Sequence, residues 1–343
     1  MTNIPTIPIT NAICERRNII TKYLCDFLST DVAKLTSMYD YYLTGKIHIL
    51  KGHRDSVWCI NVLPNGKIVS GSSDHTIRIW DPETGNCEKI LYHLHCVMCI
   101  IILSNEHIII GDNSYELHIW NLENHKSELF GRHNSEILCC TKISNEMIVS
   151  GSRCGEIKIW RLNCLDHKKE YIKECIKTFQ NDNSVFSIIH LHDKKIVSGD
   201  SSGWIKLWDY SQESNDCAIA RHEHNNIVHS LIALSNERII SVSWNESQVK
   251  IIKNITNELS EILGVSYGCL NVLPDGRLIG CSDGEIIKIC NIDNKKKFNL
   301  NESDFTTFTP HCCKVLLDGR VVFGFYNNFG NNEDDNNYLV LIT

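Results

Sequence analysis

Short runs of alternating apolar and polar residues recur along most of the chain. One set reads TIRIWD (76–81), ELHIWN (116–121), EIKIWR (156–161) and WIKLWD (204–209). A period of two predicts a strand with one face more buried than the other. A second set joins two β-branched runs across a short turn, as in NVLPNGKIVSG (61–71) and NVLPDGRLIG (271–280), which is typical of a β-hairpin. The pattern therefore predicts an all-β repeat structure.

The repeat has a nearly constant length. Its four clearest copies end on a tryptophan, and these are Trp80, Trp120, Trp160 and Trp208, spaced by 40, 40 and 48 residues. Three weaker copies follow, the last with a strand at 338–342, so residues 46–343 hold seven units of about 43 residues, the length of a four-stranded propeller blade. We expect a seven-bladed β-propeller over 46–343. The run at 46–50 is expected to pair with the last blade and close the ring.

The first complete unit carries a family resemblance. It reads GHRDSVWCINVLPNGKIVSGSSDHTIRIWD (52–81) and resembles the WD-repeat family, with Gly-His at its start and Trp-Asp at its end. The resemblance implies a buried hydrogen-bond network of His53, Ser70, Asp74 and Trp80. Later units keep parts of this network: His93, Trp120, His133, Ser150, Trp160, Ser198 and Trp208. At the acid position of blades two to four stand Ser114, Cys154 and Ser202.

Composition limits the partners and the compartment. The 343 residues carry a net charge of −7, which argues against a general nucleic-acid binder, because phosphate contacts need a basic surface. The 17 cysteines fit a reducing compartment, so we expect a cytoplasmic protein, with the nucleus as an alternative. No leader or membrane-spanning pattern is visible, so no membrane partner is expected. Abundant Ile, Asn and Lys are typical of AT-rich genomes, such as those of giant viruses and some protists.

The cysteines and histidines favour packing over chemistry. One position of the repeat is filled by Cys59, Cys99, Cys139, Cys269 and Cys312, where a small side chain fits near the propeller axis. Two fragments resemble part of a zinc site, but both lack a second ligand pair at the proper spacing, so no metal is expected: His95, Cys96 and Cys99, and His311-Cys312-Cys313. No nucleophile, phosphate-loop or dinucleotide motif is present. We therefore expect no catalytic residue, no cofactor and no enzyme activity.

The tryptophans outside the repeat position point to a binding surface. In the WD-repeat family the loops that would carry them form the usual partner-binding top face, so the resemblance implies a protein or peptide site there. Tryptophan and arginine are enriched in interface hot spots. The predicted site residues are Arg54, Trp58, Glu136, Arg153, Asp182, Trp204 and Trp244. The expected function is a protein-interaction scaffold, and the sequence does not determine its oligomeric state.

Residues 1–45 change character and predict a helical N-terminal arm. Apolar residues recur there at helical spacing in two segments around 29–31. The segment FLSTDVAKLTSMYDYY (27–42) is similar to the second half of an F-box, with Leu28, Val32, Leu35 and Met38 at matching positions, although the usual Leu-Pro opening is absent. An F-box before WD repeats implies a substrate receptor that recruits subunits of a cullin-type ubiquitin ligase. A structural or oligomerising arm is the other interpretation.

Overall fold

The computed structural model describes residues 47–165, 170–234, 238–244, 246, 248–253, 260–263, 268–281, 287–292, 297–300, 309–326 and 338–342. Every regular element in these ranges is a β-strand. All of the strands belong to the unit Gly45–Thr343.

These strands form seven four-stranded antiparallel sheets in the described part of the chain, numbered here as blades. Blade one is β2 (Val57–Val62), β3 (Ile68–Ser72), β4 (Thr76–Trp80) and β5 (Cys87–Tyr92). Blade two is β6 (Val97–Ile102), β7 (His107–Asp112), β8 (Glu116–Asn121) and β9 (Lys126–Arg132). Blade three is β10 (Ile137–Ser144), β11 (Met147–Ser152), β12 (Glu156–Leu165) and β13 (Glu170–Gln180). Blade four is β14 (Val185–Leu191), β15 (Lys195–Asp200), β16 (Trp204–Asp209) and β17 (Ile219–His222).

The remaining blades are built from shorter strands. Blade five is β18 (Val228–Ala233), β19 (Arg238–Ser243), β20 (Val249–Lys253) and β21 (Ser260–Leu263). Blade six is β22 (Cys269–Val272), β23 (Leu278–Cys281), β24 (Ile287–Cys290) and β25 (Lys297–Leu300). Blade seven is β26 (Thr309–Val315), β27 (Val321–Tyr326), β28 (Tyr338–Ile342) and, from the start of the described chain, β1 (Ile47–Lys51).

Pairing inside a blade follows the sequence hairpins. In blade one Ile60 lies opposite Ser70, and Ile68 lies opposite Trp80. The turn between β2 and β3 is closed by a hydrogen bond from the N–H of Leu63 to the carbonyl of Lys67 (2.8 Å). Gly66 in this turn has a φ of +88°, a conformation that favours glycine. The middle strands β3 and β4 are buried throughout, whereas the outer strand β5 alternates between exposed positions and positions that are partly or fully buried.

The inner strands close a ring. Each contacts the inner strand of the next blade, in the order β2, β6, β10, β14, β18, β22 and β26, and β26 contacts β2. In blade seven β1 pairs with β28, with Ile47 opposite Ile342 and Lys51 opposite Tyr338. Leu50 of β1 is buried in one core cluster with Trp80 of blade one. The seam between the two ends of the propeller is therefore both hydrogen-bonded and packed.

The cysteine position of the inner strands is a packing position. In five blades the side chain there lies against a glycine of the neighbouring strand, and a Cβ on that glycine would lie closer than 3.0 Å to it. The pairs are Gly71 with Cys59, Gly111 with Cys99, Gly151 with Cys139, Gly199 with Ser187, and Gly324 with Cys312. Burial raises the pKa of the Cys59 thiol well above its usual range, so this thiol stays protonated.

The expected fold class needs one correction. The sequence predicts an α-helical arm before the propeller, but the elements that the structure describes are all strands, with no helix among those residues. The predicted arm, including Leu28, Val32, Leu35 and Met38, lies outside the described residues. The described elements also hold no helix long and apolar enough to cross a membrane.

Candidate partner-binding face

One end of the blades carries most of the predicted site residues. In a four-stranded antiparallel blade, the connection from the second to the third strand lies at the same end as the connection into the next blade. Backbone hydrogen bonds join these two connections: the N–H of Arg153 donates to the carbonyl of Glu136 (2.9 Å), and the N–H of Trp244 donates to that of Ile227 (3.1 Å). We call this end the upper face.

A β-bulge recurs on the inner strands near the upper face. In blade one the register shifts between Val57 and Cys59, so that Trp58 is the extra residue. A bulge leaves one residue out of the ladder and turns its side chain, and bulges are frequent beside functional sites. The bulged residues in the described chain are Trp58, Met98, Leu138, Phe186, His229 and His311, all partly exposed. We call these six residues the bulge ring.

Aromatic contacts connect part of the bulge ring through Trp244. Trp58 meets His311 edge to face, with ring centroids 4.4 Å apart, and the His311 ring lies 5.9 Å from that of Trp244. Trp244 also lies 6.0 Å from His229 and 6.4 Å from Phe186. Side chains from blades one, four, five and seven therefore share one aromatic cluster.

The two histidines of this cluster are uncharged at neutral pH. Burial, together with a smaller contribution from the nearby His311, lowers the pKa of His229 to about 3. Burial also lowers the pKa of His311 to about 4. The cluster thus offers aromatic surface and neutral imidazoles.

The other predicted site residues lie apart from this cluster. Arg153 Nε is 2.5 Å from Glu136 Oε2, and Lys206 Nζ is 2.7 Å from Asp182 Oδ2. The backbone N–H of Arg54 donates to Asp74 (2.9 Å). Trp204 packs edge to face on His222, with centroids 5.1 Å apart. The structure therefore brings Trp58 and Trp244 together through His311, and it pairs Arg153 with Glu136.

Blade one contains the complete hydrogen-bond network that the family resemblance implies. Trp80 Nε1 donates to Ser70 Oγ (2.8 Å), and His53 Nε2 lies 2.7 Å from the same hydroxyl. His53 Nδ1 lies 2.8 Å from Asp74 Oδ2, and Asp74 also accepts the N–H of Thr76 (2.9 Å). Burial opposes ionisation of Asp74, but its hydrogen bonds with His53 and Thr76 hold the pKa of this carboxyl well below its usual range.

Blades three to five keep some of the tryptophan, serine and histidine members of the network. Their acidic residue, however, stands at a different position of the repeat from Asp74 in blade one. Trp160 and Trp208 donate to Ser150 and Ser198, each at 2.8 Å. In place of Cys154, blade three uses Glu156, whose Oε2 lies 3.3 Å from His133 Nδ1. In place of Ser202, blade four uses Asp200, which accepts from Asn181 (3.2 Å). In blade five Glu246 is the partner of His224.

Blade two also departs from the expected network, and two of its expected members need correction. His93 Nε2 lies 2.9 Å from Asp112 Oδ2, so Asp112 is the acid and not Ser114. Trp120 Nε1 is buried without a hydrogen-bond partner among the described residues, because Ile110 replaces the serine. Trp120 therefore belongs to the core of this blade and not to the network.

Comparison with known proteins supports the repeat and the fold. The family model "WD domain, G-beta repeat" matches residues 45–81 and 173–209. Ribosome biogenesis protein bop1-A of Xenopus laevis is 52% identical over 42 residues, which is 12% of this chain and 6% of that protein. Eukaryotic translation initiation factor 3 subunit I of Aspergillus niger is 42% identical over 40 residues, which is 11% of this chain and 12% of that protein. These matches span small fractions of the relatives' lengths.

A solved structure extends the likeness over most of the chain. The WD40 β-propeller domain of Doa1 superposes with a TM-score of 0.68 at 15% identity, covering 87% of this chain and 97% of that one. This likeness concerns the fold. The resemblance to WD-repeat β-propellers is confirmed at the level of repeat and fold.

Proposed function

We propose that this protein is a non-enzymatic interaction scaffold whose upper face holds a protein or peptide partner. The aromatic cluster of the bulge ring and Trp244 carries this proposal. It places two tryptophans, a phenylalanine and two neutral histidines, all partly exposed, at one end of the inner strands. Buried aromatic anchors supply most of the binding energy in interfaces of this kind.

The chemistry of the cluster favours an apolar or aromatic side chain of the partner. Its histidines are neutral at physiological pH, so a charged group entering it would lose hydration without gaining a counter-charge. The pairs Arg153–Glu136 and Lys206–Asp182 lie on the same face and offer polar contacts at its edge.

A paired substitution tests the site. Partners are first identified by affinity purification and mass spectrometry, and one of them is then titrated against purified variants. The double variant Trp58→Ala with Trp244→Ala should weaken binding by tenfold or more. The matched control is Trp204→Ala, which removes a tryptophan of the upper face that packs on His222. Equal affinities for the double variant and the wild-type protein, with both folded by circular dichroism, would refute the proposal.

The ubiquitin-ligase alternative depends on the arm, residues 1–45. Its F-box-like positions lie outside the described residues, so a deletion of 1–45 is the direct test. We expect the deletion to keep partners that bind the propeller. If cullin-type ligase subunits co-purify with the full chain and are lost with the deletion, the protein is a substrate receptor and not a simple scaffold.

The compartment is also part of the proposal. The names of the two curated relatives concern ribosome biogenesis and translation initiation, which supports a place in the nucleolus or the cytoplasm. Protein partners from large assemblies would fit both places. Fluorescence microscopy of a tagged full-length chain distinguishes them.

A further inference from the structure

Blade two differs from the other blades at its upper edge. Its third strand carries His118 two residues before the tryptophan, where the other blades with a described side chain at this position carry a cation: Arg78, Lys158, Lys206 and Lys250. The serine that binds the histidine elsewhere is replaced by Ile110. In blades one, three and five the histidine Nε2 faces a serine hydroxyl, whereas His93 Nε2 faces Asp112.

Three ligand-type groups converge there. The donor atoms of His93, Asp112 and His118 all lie within 4.8 Å of one another. His93 Nε2 is 2.9 Å from Asp112 Oδ2, and His118 Nε2 is 3.8 Å from the same oxygen. His118 Nε2 also lies 2.8 Å from Glu116 Oε2. The two imidazole rings meet edge to face with centroids 4.9 Å apart.

The local backbone orients the central carboxylate. Asp112 Oδ1 accepts hydrogen bonds from the N–H groups of Ser114 (2.9 Å) and Glu116 (3.0 Å), and from the Ser114 hydroxyl (2.8 Å). These three donors occupy one carboxylate oxygen, so Oδ2 remains directed at the two histidines. Such outer contacts are typical of metal-ligating carboxylates.

We propose that His93, Asp112 and His118 bind a Zn²⁺ ion as three protein ligands, with solvent as the fourth ligand. In tetrahedral zinc sites with bonds of 2.0–2.1 Å, ligand atoms lie about 3.3 Å apart, and the distances of 2.9 and 3.8 Å from Asp112 Oδ2 to the two imidazole nitrogens bracket this value. Imidazole nitrogen and carboxylate oxygen are preferred zinc ligands. The cation found at the His118 position in blades one, three, four and five would repel the ion, and blade two lacks it.

Access and charge also suit this site. The side chains of His93 and Asp112 are buried, whereas those of His118 and Glu116 are 16% and 23% exposed, so the ion can enter from the solvent side. Glu116 lies at the edge of the site, with Oε1 2.6 Å from Arg132 Nη2 and Oε2 2.8 Å from His118 Nε2. The Asp112 carboxylate would neutralise part of the charge of Zn²⁺. The site is independent of the proposed partner binding and would stabilise blade two.

Zinc binding by purified variants tests this proposal. Full-length protein, stripped with chelator and kept reduced, is titrated with Zn²⁺ in competition with a chromophoric chelator. The wild-type protein should bind one equivalent more than His118→Lys, a variant that restores the residue type of blades three to five. His192→Asn removes an exposed histidine elsewhere and should match the wild-type protein. Equal stoichiometry and affinity for the wild-type protein and His118→Lys would overturn the proposal.

X-ray absorption at the zinc edge gives a second test on the wild-type protein alone. It is decisive even if His118→Lys fails to fold, and it separates this site from the cysteines. The protein loaded with one equivalent should show nitrogen and oxygen neighbours at about 2.0 Å, with the scattering pattern of imidazole. A shell of sulfur at about 2.3 Å would place the ion on thiolates and overturn the proposal.

Discussion

At the residue scale, a single hydroxyl connects two buried partners in blade one. Ser70 is fully buried, accepts from Trp80 Nε1 and bonds His53 Nε2. Ser70→Ala should lower the free energy of unfolding by about 1–3 kcal/mol, because both partners lose a hydrogen bond without gaining water. Urea unfolding followed by circular dichroism measures this loss. Ser214→Ala, at an exposed hydroxyl, should change it by no more than about 0.5 kcal/mol, and equal losses would contradict the argument.

A second residue-scale prediction concerns pH. His311 has a pKa of about 4 in the folded protein, against about 6.5 in the unfolded chain, so below pH 6.5 the unfolded chain binds more protons. Stability therefore falls as the pH drops from about 6.5 towards 4. His311→Phe keeps an aromatic ring beside Trp58 and should reduce the loss of stability between pH 7 and pH 5 by about 1–2 kcal/mol. Urea unfolding at both pH values measures it, and an unchanged pH dependence would show that His311 does not contribute.

The members of the hydrogen-bond network differ in how well the repeat predicts their positions. Trp, Ser and His keep their positions because a strand register fixes them, so Trp160 and Ser150 could be located from the repeat. The acidic residues could not be located in this way, because within a turn a carboxylate can reach the imidazole from several sequence positions. Asp112 and Glu156 lie two residues before and after the expected position, and they could have been found by searching for any acid near the turn.

At the element scale, the inner strand and its neighbour are fitted to each other. Cys99 is buried, and a Cβ on Gly111 would lie 2.7 Å from its sulfur, so the strand pair has no room for a larger side chain. Cys99→Val should destabilise the protein by about 1–3 kcal/mol through overpacking. Cys99→Ser should be tolerated better, because blade four has Ser187 at this position. Thermal unfolding compares these variants with Cys175→Val, on an exposed strand position, and equal effects of both valines would refute the packing argument.

Hairpins and bulges differ in how far the sequence reveals them. The hairpins are local, since the turn residues and the alternating runs stand within one short segment, and β28 begins and ends where the pattern predicts. The bulges are not local, because they arise where an inner strand must bend beside its neighbours. The repeat could have indicated them through the residue before the cysteine position, but only the pairing shows that Phe186 and His229 leave the ladder.

At the scale of the whole molecule, the ring depends on one seam between β1 and β28. The two faces of β1 have different roles: Leu50 is buried between blades seven and one, whereas its neighbour Ile49 is 48% exposed. Leu50→Ala should therefore cost about 2–4 kcal/mol, and Ile49→Ala less than about 1 kcal/mol. Each blade packs mainly on its neighbours, so a weakened seam should also reduce the cooperativity of unfolding. Urea unfolding followed by circular dichroism and by tryptophan fluorescence measures both effects. Coincident curves with equal midpoints for the two variants would mean that the seam does not hold the ring, and that β1 adds only a strand to a propeller that is stable without it.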